Sequence, residues 1–237
     1  MFCFDRATFY SLRDYLFFMI FINFKTYEQG TGTNAVNLAK LLESVALETQ
    51  VKIIPVVQAA DVREVVQTVK LEVWVQHIDP VEFGAHTGSI IPESVKEDGA
   101  IGTFLNHSEH KFENFEELES AHKRAKSVGL KTLIFAGNIA HLLSVVELRP
   151  DFVSYEPPEL VGSETTSVAK EKPEIISKAV EIAKTKSLPL IVGAGIKSEE
   201  DIRVSLQLGA SGFAIASDIV KAKDPKKELL ELIKGYE

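Results

Sequence analysis

Residues 188–220 read LPLIVGAGIKSEEDIRVSLQLGASGFAIASDIV and contain a complete structural unit. The run over 190–193 is short and continuously apolar, as suits a parallel strand covered on both faces. An amphipathic pattern follows over 198–208, where Ser198 with Asp201 three residues on resembles an N-cap box. Gly209 falls just past the end of that pattern, where a left-handed residue is needed. A second apolar run, 212–216, then begins. Strand, helix and strand in this order imply a right-handed βαβ unit.

The same alternation fills the chain on the N-terminal side. Further strands are predicted over 19–24, 52–57, 72–77, 100–106, 131–136 and 152–156, and helices over 34–48, 60–70, 114–128, 173–186 and 225–234. Pro173 and Pro225 stand where a first helical turn accepts proline, and Gly129 repeats the role of Gly209. No linker rich in Gly, Pro or Ser divides the series. The expectation is therefore an α/β protein with one catalytic domain over 19–237, a closed single-domain (β/α)8 TIM barrel. An open doubly wound sheet is the alternative, because periodicity alone does not prove closure.

Composition narrows the class. The chain has 237 residues and a net charge of −8, which argues against a general nucleic-acid binder or an anionic membrane surface. Cys3 is the sole cysteine, so neither an intrachain disulfide nor a Cys-rich metal site is expected, and a reducing, cytoplasmic setting fits. None of the six histidines falls in an H-E-x-x-H pattern, and no metal is expected. The apolar run over 15–22 has eight residues, too few to span a bilayer. Its end is read as the first strand, leaving residues 1–18 as an N-terminal extension of unknown role.

In a barrel the loops after the strands build the site. These strand ends carry Asn23 and Lys25, then Asn106-His107-Ser108-Glu109, then Glu156, then Gly193-Ala194-Gly195, then Ala216-Ser217. A carboxylate can take a proton beside a carbonyl, and an imidazole with a lysine can stabilise the oxyanion that forms. Small residues before a helix let backbone N–H groups approach a phosphate. Singly, each has a plain structural explanation: a solvated lysine, a capping histidine or carboxylate, a tight turn. At successive strand ends they read as one site.

The stretches NFKTY (23–27), GAHTGSIIPE (84–93), LNHSEH (105–110), YEPPELVG (155–162), VGAGI (192–196) and AIASDIV (214–220) resemble the triosephosphate isomerase family, in particular its short archaeal branch. The resemblance covers about residues 19 to 236. It implies cofactor-independent interconversion of dihydroxyacetone phosphate and glyceraldehyde 3-phosphate through an enediolate. It further implies Glu156 as general base, His107 as electrophile and Lys25 as the source of positive potential, with Asn23 beside it and Glu109 behind. In this family, the standard worked case of such chemistry, the imidazole acts neutral beside a helix N-terminus and a loop closes to exclude water. The stretch after His107 is expected to open such a helix.

By the same resemblance, main-chain groups around Val161, Gly195, Ala216 and Ser217 hold the phosphate, and 157–162 front the lid. The lid departs from the family at Gly162-Ser163-Glu164, where Gly-Thr-Gly is usual, so Glu164 restricts a hinge. Thr87 matches a residue that the family inserts into a neighbouring subunit, and the short branch implies a homotetramer in preference to a homodimer. Two other functions compete: another sugar-phosphate barrel, an epimerase or isomerase, and a catalytically silent barrel that binds metabolites.

Overall fold

Eight parallel strands follow one another in sequence order and close: β1 (Met19–Asn23), β2 (Lys52–Val57), β3 (Trp74–Val75), β4 (Gly102–Leu105), β5 (Lys131–Ala136), β6 (Phe152–Tyr155), β7 (Leu190–Val192) and β8 (Gly212–Ile215). β1 pairs with β2 on one side and β8 on the other, Phe21 standing opposite both Ile54 and Ala214. That second pairing excludes the open sheet. The computed structural model describes residues 19–156, 173–193 and 196–236.

Around the barrel, the described helices are α1 (Thr33–Thr49), α2 (Val62–Thr68), α3 (Pro92–Glu97), α4 (Phe115–Ser127), α5 (Ile139–Glu147), α6 (Pro173–Lys184), α7 (Glu199–Gln207), α8 (Ser217–Val220) and α9 (Pro225–Ile233). Short polar side chains start several of them by accepting an amide that the first turn leaves unbonded. Asn114, Asn138, Ser198 and Asp224 accept from the amides of Glu117, His141, Asp201 and Lys227. Gly129 and Gly209 adopt the expected left-handed backbone, at φ 78° and 98°. No described helix is long and apolar enough to cross a membrane.

Strand alternation divides the core into two layers. Ile20 and Ile22 face outward into the layer between barrel and helices. Met19 and Phe21 face inward with Ile54, Val56, Trp74, Phe104, Leu133, Phe135 and Ile191. The interior is a stack of rings: Phe21 lies 5.0 Å from Trp74 edge-on, 5.7 Å from Phe104 and 5.7 Å from Phe152. Burying each such ring contributes about 1.5–3 kcal/mol. Gly102 makes room for it, since a β-carbon there would stand 2.5 Å from the Trp74 indole.

The structure departs from expectation at β3, where the ladder shrinks from the expected 72–77 to Trp74–Val75. The Glu72 carboxylate is drawn to Lys52 and Lys131, and at the other end the His77 ring stacks on His110, 4.0 Å away. Helices α3, α5 and α8 were not foreseen in the pattern. Because all eight strands run the same way, everything just beyond their C-terminal ends gathers at one mouth.

Candidate active site

At the end of β1 the chain turns sharply and Lys25 takes a left-handed backbone conformation, φ 47°. Two amide side chains hold it there. Asn23 Oδ1 accepts the Lys25 amide at 3.0 Å, and Gln76 Nε2 donates to the Lys25 carbonyl at 2.9 Å. The ammonium reaches Glu109 Oε1 at 2.7 Å, which pins the cation over the mouth.

At the end of β4, Asn106 is also left-handed, φ 60°, and its buried side chain ties three segments together. Oδ1 accepts the Phe112 amide at 3.3 Å, and Nδ2 donates to the Phe135 carbonyl at 3.1 Å. His107 follows, buried, with the Phe135 ring edge-on 4.9 Å away. The Glu109 amide donates to His107 Nδ1 at 3.2 Å, so the neutral ring carries its proton on Nε2. Burial is the main cause that lowers the His107 pKa to about 4; Glu109 opposes it, while Lys25 and His110 add to it. The imidazole is therefore neutral at pH 7. The expected short helix after His107 is not formed. Residues 108–110 make a turn closed by the His110 amide on the His107 carbonyl at 2.9 Å, and α4 starts only at Phe115. One turn amide and burial, not a helix N-terminus, keep the ring neutral.

At the end of β6, Glu156 is 4% exposed, with its amide anchored on the Ala136 carbonyl at 3.0 Å. Its Oε2 lies 3.4 Å from Ser108 Oγ, which donates to it, and 3.9 Å from His107 Nε2. Burial raises its pKa to about 8, against Lys25 and Ser108, which favour the carboxylate; Glu109 adds to the rise. The mouth is divided. Asn23, Lys25, Gln76, His107 and Glu109 line one cleft of about 640 Å³. Glu156 lines its neighbour of about 430 Å³ with Asn106, Ser108 and Asn138. In this position the carboxylate must turn to meet a molecule lying between Lys25 and His107.

Beyond β8, Ala216 and Ser217 open α8, whose N-terminus carries no side-chain cap. The structure thus brings Asn23, Lys25, His107, Glu109, Glu156, Ala216 and Ser217 to the same end of the barrel. Val161, Gly195 and the hinge at Gly162-Ser163-Glu164 lie outside the described residues, as does the N-terminal extension over 1–18. Thr87 is exposed in the loop after β3, where Phe83 is 75% exposed. Asn106 and Ser108 were legible as strand-end residues but without a role, and Gln76, inside the expected third strand, was not named; position near a strand end was the signal for all three. A carboxyl group with raised proton affinity beside a hydrogen-donating neutral imidazole and a fixed cation suits proton abstraction next to a carbonyl.

A model of the family described as triosephosphate isomerase matches residues 18–236. The triosephosphate isomerase of Methanobacterium bryantii is 45% identical over 217 residues, which is 91% of this chain and 95% of that protein. Those of Metallosphaera sedula and Saccharolobus solfataricus are each 43% identical, over 92% and 91% of this chain and 95% and 94% of their own lengths.

Proposed function

The chain belongs to the triosephosphate isomerase family, an aldose–ketose isomerase in kind, and from that premise we propose that Glu156, His107 and Lys25 carry the interconversion of its two triose phosphates. The convergence of these three side chains at one mouth, with Glu156 Oε2 3.9 Å from His107 Nε2, is the observation that carries these roles.

The Glu156 carboxylate removes a proton from the carbon beside the substrate carbonyl and returns it to the neighbouring carbon. Raised proton affinity, to about 8, makes it a stronger base than an ordinary carboxylate. His107 donates from Nε2 to the developing oxyanion, and its neutrality keeps the donor close in acidity to the enediol it serves. Lys25 offsets the charge of enediolate and phosphate, with Asn23 shaping its turn and Glu109 fixing its ammonium. The phosphate rests on backbone N–H groups of Val161, Gly195, Ala216 and Ser217. The uncapped start of α8 supports this for the last two.

The rest of the proposal concerns organisation. Exposed Thr87 and Phe83, on one loop, suit contact with a neighbouring copy, and a homotetramer is favoured over a homodimer. The catalytic domain is taken to be 19–237, with 1–18 as an N-terminal extension of unknown role, a division supported by the family match, which starts at residue 18, and by β1, which starts at Met19. The working place is the cytoplasm.

A coupled isomerase assay on the pure protein tests the phosphate site. Gly195→Val should weaken glyceraldehyde 3-phosphate and inorganic phosphate binding together by about tenfold or more, because a side chain blocks backbone approach. Turnover of unphosphorylated glyceraldehyde should change much less. Unaltered phosphate affinity would move the anion elsewhere.

A further inference from the structure

One inward-facing polar group near the mouth has no use in the chemistry above. Ser154 sits on β6 two residues before Glu156, so both side chains point into the barrel. It is fully buried, and its Oγ has no hydrogen-bond partner among the described residues. A buried hydroxyl left unbonded costs about 1–3 kcal/mol, and a strand position facing apolar rings is better filled by alanine. The space around it is specific. A β-carbon on Gly193, at the end of β7, would lie 2.8 Å from Ser154 Oγ, 2.7 Å from Glu156 Oε1 and 2.8 Å from Glu156 Cγ. Hydroxyl and carboxylate therefore both pack against the bare backbone of residue 193, closer than any side chain there would allow.

We propose that Ser154 is a positioning residue for the base: its hydroxyl donates to Glu156 Oε1 beside Gly193 when the carboxylate turns away from Ser108. This rests on Glu156 being the base. In the present position Oε2 is held by Ser108 at 3.4 Å, on the side of the cleft away from Lys25. A turn toward Lys25 and His107 gives up that bond, and each donor a buried carboxylate loses raises its proton affinity further, leaving less of it ionised to act as base. Ser154 supplies the replacement donor from the barrel floor. Among the described residues, the titratable groups that face Glu156 are Lys25 from the β1 turn and His107 and Glu109 from the β4 turn. Among the described residues, β7 and β8 add none to those that perturb it.

The test is the pH profile of kcat/KM with kcat and KM measured separately in Ser154→Ala. Loss of a donor to the anion should move the acid limb up by about half to one pH unit and lower kcat by about five- to tenfold, with KM nearly unchanged. The melting temperature should stay or rise, because an unbonded buried hydroxyl has been removed. Ser154→Thr, which restores the hydroxyl, should return the limb toward its original place. A limb that stays put in Ser154→Ala, whatever the melting temperature, overturns the proposal and makes Ser154 a packing residue. Glu156→Gln serves as the control. Undiminished turnover there removes Glu156 as base and this proposal with it, whereas a dead Glu156→Gln beside an unmoved Ser154→Ala limb removes the role of Ser154 alone.

Discussion

The turns after β4 and β6 deliver the two groups to which the proposed chemistry assigns electrophile and base, and they hold them in opposite ways. His107 is locked: Asn106 ties its turn to Phe112 and Phe135, the Glu109 amide binds its ring, and Phe135 lies against its face edge-on. Glu156 is anchored through its backbone; among the described residues its carboxylate has one hydrogen-bond donor, Ser108 at 3.4 Å, and it packs against the bare backbone of Gly193. The difference suits the proposed tasks. An electrophile that polarises two neighbouring oxygens gains from a fixed position, since preorganised donors need no rearrangement as charge develops. A base that takes a proton from one carbon and delivers it to the next gains from freedom to turn.

The largest effect should come from shortening the mobile partner. In Glu156→Asp the carboxylate is withdrawn by about 1 Å, and kcat should fall on the order of 10² or more with KM changed far less. Steady-state rates in the coupled assay decide it; an unchanged kcat would end the role of Glu156. A smaller effect is expected from loosening the fixed partner. Asn106→Ala removes both buried side-chain bonds and leaves a β-carbon in left-handed backbone, together about 2–4 kcal/mol. The melting temperature should drop by roughly 5–15 °C and kcat by about tenfold. Asn106→Gly, which relieves the backbone but not the lost bonds, should recover only part of the stability.

The smallest effect isolates what a buried base costs the fold. Glu156 has a folded pKa of about 8 against the usual 4.5. Its protonated form is therefore favoured by folding, with the full benefit below pH 4.5, and that benefit is lost as pH rises through 8. Glu156→Gln, neutral throughout, should melt at nearly the same temperature as the parent at pH 5 and several degrees higher at pH 9. Equal melting temperatures at both would show that the carboxylate is hydrated in the folded protein.

The same contrast explains what could be read from residues alone. Strands β2 and β5 coincide with the expected 52–57 and 131–136, because a strand buried on both faces must be continuously apolar. α7 was legible because Ser198, Asp201 and Gly209 mark its ends. α5 was hidden because LLSVV within it carries too few polar residues to display a period, and α3 and α8 are too short to show one. The positions of His107 and Glu156 at strand ends were legible; how each is held was not. The turn that replaced the expected helix after His107 depends on Asn106 reaching residues 29 positions away, and no local pattern records such a bond. The close approach of Glu156 and Ser154 to residue 193 is less visible still, since it depends on the atom that Gly193 lacks.

The ring stack inside the barrel has a consequence for traffic. Phe21, Trp74 and Phe104, each no more than 1% exposed, fill the barrel interior beneath the mouth. The protein is a vessel with one door. Substrate, product and any displaced water use the same opening, and none can leave ahead of another by a rear exit. Product must clear before the next substrate enters, so each triose phosphate competes with the other for entry. Any proton that the base exchanges with solvent in mid-reaction must also cross that threshold.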